Sequence, residues 1–170
     1  LLPYSGVRVY PNARIRTSHP GGFYNGSASA AIDATGNMNF ILDSLSTVEY
    51  TGTVNQQITG INVGLASLTQ HKYGNLEINH TGPAGTWAYP ASSPYSAGNV
   101  IVRNKLILTS GELNFANASG SPASGGRTIH LTNPSPASLQ RTGGYIRSEA
   151  QDNSGRLDWT INSAAGTYTI

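Results

Sequence analysis

Apolar residues come in short alternating runs along this chain, broken by Gly, Asn, Pro and Ser. In "VRVYPNARIRTS", polar residues separate Val7, Val9 and Ile15, which predicts two short strands on either side of Pro11 and Asn12. "HPGGFYNGS" reads as a loop, with Asn25-Gly26 as its turn signal. From Met38 the alternation tightens. "MNFIL", "TVEYTG", "QQITGINV" and "YGNLEINHTG" read as successive strands, the last with Leu76 and Ile78 on one face. "PAGTWAYPASSPYSAG" has three prolines and reads as a loop. Strands resume in "NVIVRNKLILTSGELNF", "RTIHLTN", "GGYIRSE", "RLDWTI" and "GTYTI".

These strands recur as a unit: about five alternating residues, then a Gly or Asn, then another strand. "STVEYTG", "GNLEINHTG", "NKLILTSG" and "RTIHLTNP" are versions of one phrase. Leu76, Leu106 and Ile129 head the triplets Leu-Glu-Ile, Leu-Ile-Leu and Ile-His-Leu, 30 and 23 residues apart. Repeats of about 20 to 50 residues mark stacked architectures. The fold class expected is all-β, a parallel β-solenoid, with inward residues stacked coil on coil and Asn or Gly at the corners. A β-sandwich or jelly roll is the alternative, because it too has short strands with a turn every 8 to 12 residues or so.

Composition agrees with an all-β chain. Charged residues are 11% and hydrophobic residues 38% of the 170, and Gly, Ser, Thr and Asn fill much of the rest. Those types favour strands and turns over helix interiors. Ten Lys and Arg against eight Asp and Glu leave a net charge of +2. Arg8, Arg14 and Arg16 form the one local basic concentration, too sparse for a phosphate-binding face, so no nucleic-acid partner is expected. There are no cysteines, hence no disulfide framework and no thiolate metal site. No apolar run approaches the roughly 20 residues of a membrane-spanning helix. The opening "LLPYSG" lacks a starting Met and a signal-peptide pattern, which reads as a processed, trimmed or fragmentary chain.

Residues 46 to 170 carry a more specific signal. "STVEYTGTVNQQITG", "YGNLEI", "LILTSGELNFAN" and the closing "RTIHLTNPSPASLQRTGGYIRSEAQDNSGRLDWTI" resemble the repetitive β-rich region of large Bacteroidota surface and gliding-type adhesins, exported by the type IX secretion pathway. The resemblance implies a secreted or surface-anchored structural or adhesive segment, extracellular, with no catalytic residues to carry over. It divides the chain into an irregular capping or assembly segment, 1–45, and a solenoid-like region, 46–170, expected to continue past the last residue. In the closing phrase, Tyr145, Ile146, Leu157, Trp159 and Ile161 would form the buried side of one coil.

Candidate chemistry is thin by comparison. Glu149, Asp152 and Asp158 could cluster, but Arg147, Arg156 and Arg141 lie near them, so ion pairs or turn caps are the expected roles. His19, His71, His80 and His130 show no metal-ligand spacing, and no metal or other cofactor is expected. His130, between Ile129 and Leu131, should face away from them. No Gly-x-Ser-x-Gly elbow is present, and "SGSPASGG" has no helix after it to hold a phosphate. Trp87, Tyr89 and Tyr95 are the candidate binding residues, because exposed rings stack on sugars and anchor partners; the simpler reading is that they pack their loop onto the wall. Asn25, Asn79 and Asn117 begin N-glycan triplets. The Asp43-Ser44-Leu45 triplet resembles the O-glycan acceptor motif of the same bacterial group, which makes Ser44 a candidate modification site.

The function expected is non-enzymatic: extension, adhesion or assembly outside the cell. The partners would be a neighbouring segment of the chain, a second copy, or surface glycans. Two alternatives stand beside it. One is a filament subunit assembled by strand addition; the other is a carbohydrate-binding or carbohydrate-active domain. The ends are expected to differ, with Pro and Arg shielding the first strands and "GTYTI" left as an open edge that would drive self-association.

Overall fold

The computed structural model describes residues 6–23, 31, 39–59, 72–90, 99–115, 127–147 and 155–161. Its strands are β1 (Gly6–Val9), β2 (Arg14–Thr17), β3 (Asn39–Leu42), β4 (Thr47–Tyr50), β5 (Gln56–Ile58), β6 (Tyr73–Asn79) and β7 (Ala88–Pro90). They continue with β8 (Asn99–Ser110), β9 (Glu112–Asn114), β10 (Thr128–Leu131), β11 (Leu139–Arg141), β12 (Tyr145–Arg147) and β13 (Arg156–Trp159). A single 3-10 turn, Pro136–Ser138, is the helical element among the described residues. Every strand pairing is parallel. A sandwich is built from antiparallel sheets, so that alternative falls, and the fold is a β-solenoid.

Three sheets wrap the stack. β1 pairs with β3; β13, β10, β8, β6, β4 and β2 follow one another in a second sheet, with β11 also on β8; and β12, β9, β7 and β5 make the third. β8 serves two rungs at once. Its first part pairs with β10, and its second part with β11. The two parts meet at a bulge, where Arg103 and Asn104 face the single residue Gly74 of β6. Here Arg103 reaches back across the stack, donating to the carbonyls of Leu42 and, at 3.3 Å, Lys72.

Alternation decides what points in. Val48, Leu76, Leu106 and Leu139 lie in register from β4 to β11, all buried. Tyr50, Ile78 and Leu108 form the next column, and Val100 stacks on Ile129, which pairs with Leu157. Burial of each large apolar side chain contributes about 1.5 to 3 kcal/mol, so the columns give the stack its main cohesion. Turn residues make the corners. Asn12 takes a left-handed φ of 61° between β1 and β2. Gly111 has φ +76°, and a Cβ there would stand 2.4 Å from the His80 carbonyl oxygen, so β8 can turn into β9 only at a glycine.

The stack departs from the sequence expectation in three ways. The rungs repeat at 25 to 33 residues, and Ile129 is not the partner of Leu106. Leu76 does pair with Leu106, but Ile129 pairs with Val100, while Leu106 meets Leu139. The Asn133–Ser138 corner delays the next rung, which is why triplet matching misplaced it. Second, Tyr145 and Ile161 are not on the buried side: they are 49% and 53% exposed, while Ile146, Leu157 and Trp159 pack against the core. Tyr145 alternates with the inward Ile146, so it must face out. Third, the proline-rich loop contains β7, whose Ala88 points inward and is fully buried. Residue 45, where the sequence reading divides the chain, lies between β3 and β4, and β2 pairs with β4. The "GTYTI" segment lies outside the described residues.

The corrected register has a direct test. Leu106→Ala, Ile129→Ala and Leu139→Ala should each destabilise, the fully buried pair Leu106 and Ile129 by about 2 to 5 kcal/mol in urea unfolding. In double-mutant cycles Leu106 and Leu139 should couple by about 0.5 kcal/mol or more, whereas Leu106 and Ile129 should add independently. Coupling of Leu106 to Ile129 instead would restore the rejected register.

Candidate functional site

The outward residues of the four-stranded sheet make the most chemically varied face. Ile58 and Ala88 point in, and Leu113 and Ile146 pack with them. The alternate positions therefore point out. Tyr145 lies beside Glu112, and Arg147 beside Asn114. Because Ala88 pairs with Leu113, Trp87 falls beside Glu112 and Tyr89 beside Asn114. Gln57 lies beside Tyr89 on the other side. The result is a row Trp87–Glu112–Tyr145 running along the stack, and a parallel row Gln57–Tyr89–Asn114–Arg147.

Glu112 is the centre of this face. Its Oε2 accepts from the Tyr145 hydroxyl at 2.7 Å, and its Oε1 accepts from the Asn114 amide. The Arg147 guanidinium stands 3.9 Å from Oε1. The hydrogen bond to the Glu112 carboxylate holds the Tyr145 hydroxyl above its usual pKa, with burial and the carboxylate's charge adding to it. Trp87 is half-buried; its backbone bonds to β5, the amide donating to Asn55 Oδ1 at 3.1 Å and the carbonyl accepting from Gln56. The Arg127 guanidinium lies 5.4 Å from the centre of the Tyr89 ring. Burial raises the Tyr89 pKa, and burial lowers that of Arg127, each opposed by the other's charge. One face of Tyr89 is thus taken by a cation.

A second polar cluster sits where β2, β4 and β6 meet. Glu49 and Glu77 are in-register neighbours, both buried. Arg14 Nη1 bridges them, at 2.8 Å from Glu49 and 2.7 Å from Glu77, and Arg16 Nε reaches Glu49 at 2.6 Å. Asn79 donates to Glu49, and Thr109 to Glu77, both at 2.8 Å. Burial opposes ionisation of Glu49, but the hydrogen bonds from Asn79, Arg14 and Arg16 outweigh it and hold its carboxyl below the usual range. Two of the three arginines of the basic concentration seen in the sequence, Arg14 and Arg16, are therefore paired with acids of the stack.

Other candidates resolve individually. Ser44 is exposed on a tight turn, where Asp43 Oδ1 accepts from Leu45 N at 2.9 Å. Asn79 has its amide committed, donating to Glu49 and accepting from Ser110 at 2.8 Å. His130 faces away from Ile129 and Leu131 and stands 3.0 Å from Asp158; Asp158 thus meets a histidine, while Arg141 donates to the Gly144 carbonyl. His80 is buried, with Nε2 2.8 Å from the Val54 carbonyl and Nδ1 accepting from Gly82 N. His19 Nδ1 likewise accepts from Gly21 N. Among the described residues no group of three metal-ligating side chains occurs. Tyr95, His71, Asn25, Asn117, Glu149 and Asp152 lie outside the described residues.

Two of the three candidate binding aromatics, Trp87 and Tyr89, thus share one face. Sequence reasoning missed their neighbours Glu112, Asn114, Tyr145 and Arg147. The alternation in Glu-Leu-Asn and Tyr-Ile-Arg marks them as outward, but only the register brings the three rungs together. No family model matches the chain, and no curated protein or solved structure matches it. The likeness of residues 46–170 to surface adhesins rests on the sequence phrases alone.

The Glu49 cluster generates a pH prediction. A carboxyl whose pKa is depressed on folding contributes stability that is complete above its unfolded value, near 4.3 or so, and is lost as pH falls through the lower folded value. As pH falls through that lower value, Arg14 and Arg16 lose the Glu49 carboxylate as a partner and the β2 edge should loosen. Amide exchange of Ile15 to Thr17 should accelerate at low pH in the native protein. Glu49→Gln should already show fast exchange at neutral pH and little further change in acid.

Proposed function

We propose that this chain is a non-enzymatic structural and adhesive segment of an exported bacterial surface protein, which extends or presents rather than catalyses. The fate of the carboxylates carries this reading. Each of the five acids among the described residues is engaged by neighbours in the stack. Asp43 caps a turn. Glu49 and Glu77 share Arg14. Glu112 holds Tyr145 and Asn114, and Asp158 pairs with His130. General acid–base chemistry needs a carboxyl poised toward a substrate proton; these are tied to the fold. The sequence phrases from Ser46 onward support the extracellular placement, and a neighbouring segment or a second copy is the natural partner of a parallel stack.

Two measurements test it. An antibody raised against the chain should label intact source cells, and electron micrographs of the parent protein should resolve a stalk. The purified chain should release no reducing ends from a panel of polysaccharides. Turnover that Glu112→Gln abolishes would overturn the non-enzymatic reading. Absence of surface labelling would overturn the placement, and a regular polymer would favour the filament subunit.

A further inference from the structure

A parallel stack has two unlike ends. Among the described residues, β13 pairs with β10 and with nothing beyond it, and β1 pairs with β3 alone. Both end strands belong to one wall. β1 runs into β2, β3 into β4, the first part of β8 into its second part, and β10 into β11. The strands β2, β4, β6, the second part of β8 and β11 succeed one another as the neighbouring wall. β13 adds to β10 and so lies on the wall of β1. We propose that two copies of this chain stack end to end, β13 of one pairing in parallel with β1 of the next, in the register that continues the coils.

Three observations fit these edges to each other. The first is the phase of the hydrogen bonds. In a parallel ladder, alternate residues of a strand bond to opposite sides. The Arg156 and Thr160 amides donate to the carbonyls of Arg127 and Leu131, on the β10 side. Leu157 and Trp159 therefore turn their backbone groups to the open side. The Val9 carbonyl accepts from Asp43 N on the β3 side, so Arg8 turns its own backbone to the open side. With Leu157 beside Val7 of the second copy, the Arg8 amide meets the Leu157 carbonyl, as Arg156 meets Arg127 inside the stack. Pro11 lies past β1, so every residue from Gly6 to Tyr10 keeps its amide.

The second observation is the core. The same register sets Leu157 on Val7 and Trp159 on Val9. Val100, Ile129 and Leu131 are fully buried, whereas Leu157, Trp159 and Val7 at the two ends are only half-buried. A second copy would cover them as a further coil does. The third is charge. Asp158 comes to stand beside Arg8. Arg8 is exposed, its guanidinium 5.2 Å from the centre of the Tyr10 ring, and it forms no ion pair among the described residues. The Asp158 side chain is 51% exposed, with Oδ2 3.0 Å from His130. An outward arginine in register with an outward acid of the adjoining rung is a contact the stack already contains: Arg16 Nε stands 2.6 Å from Glu49. Arg156 would lie beside Gly6 and oppose no like charge. A slip of one residue would set Asp158 on an inward valine, so the register is fixed. The contact uses a different surface on each copy and leaves one of each free, so it repeats into lines rather than closing. It concerns the ends of the stack and does not rest on the surface placement above.

Sedimentation velocity on the full chain, from micromolar to millimolar concentration, tests the proposal. The chain should associate reversibly into dimers and short linear oligomers. Arg8→Pro, which removes the open amide and the charge, should abolish self-association. Asp158→Lys, which sets a cation against Arg8, should weaken it at least about tenfold, equivalent to roughly 1.4 kcal/mol. Circular dichroism checks that both variants are folded. Each variant keeps one intact end: β13 in Arg8→Pro and β1 in Asp158→Lys. Their mixture should therefore form dimers that grow no further. A wild-type chain that stays monomeric at millimolar concentration overturns the proposal. So does association that both variants leave unchanged, or a mixture that does not dimerise. A regular polymer that Arg8→Pro abolishes would support this contact and favour the filament subunit over the stalk. Association without labelling of intact cells would keep the contact and overturn the surface placement; labelling with a monomeric chain would do the reverse.

Discussion

Parallel pairing in register is the constraint on which everything else in this protein depends. Each residue of one rung stands directly over its counterpart on the next, about 4.8 Å away. A rung cannot choose its side chains alone, because whatever it places at a position must be compatible with the same position above and below. The hydrogen bonds between rungs are sequence-blind. The stacked side chains decide whether the stack holds.

Four chemistries meet that constraint differently. Aliphatic columns such as Val48, Leu76, Leu106 and Leu139 simply bury one another. Amides form a ladder: Asn104 donates to Asn75 at 2.8 Å, and Asn133 to Asn104 at 3.2 Å, each side chain acting as donor and acceptor in turn. Phenols also pair. Tyr50 and Tyr73, both buried, share a hydrogen bond of 2.7 Å and close onto the Thr59 backbone, which donates to one and accepts from the other. Their burial drives both pKa values up, so they remain neutral there. Carboxylates are the hard case. Glu49 over Glu77 places like charges side by side, which costs free energy unless cations intervene. Arg14 bridges the two, and Arg16 adds a second donor to Glu49.

This explains what could be read from the sequence. Strand phrases such as "TVEY", "NLEI" and "KLIL" announced themselves through alternation, and the inward set of Leu76, Ile78, Leu106 and Ile129 followed. The return distance did not. Coils vary in length because corners vary: the bend at Asn133–Ser138 differs from the glycine turn at Gly111. A triplet match from Leu106 to Ile129 looks like a rung, yet β8 is long enough for Ile129 to seat at Val100 instead. β7 was hidden by Pro90 and the two other prolines of its loop, since proline is disfavoured in strand interiors. The candidate site failed for the same reason as the register. Trp87, Glu112 and Tyr145 are ordinary outward residues in three separate phrases, and only the strand register brings them onto one face.

Inner and outer columns are consequently under different rules. An inward substitution disturbs three coils at once, since the column above and the column below both lose a contact. An outward one need only avoid a like charge or an unsatisfied neighbour. The Glu49 and Glu112 faces show the two outcomes of that freedom. At Glu49 the outward acids are saturated by arginines, and the face serves cohesion at the end of the stack that carries β2. At Glu112 the buried acid is held by a tyrosine and an amide, with the Arg147 guanidinium 3.9 Å away. A stack of this kind can therefore vary its outward columns without altering its core, because alternation separates the residues that make the wall from those that decorate it.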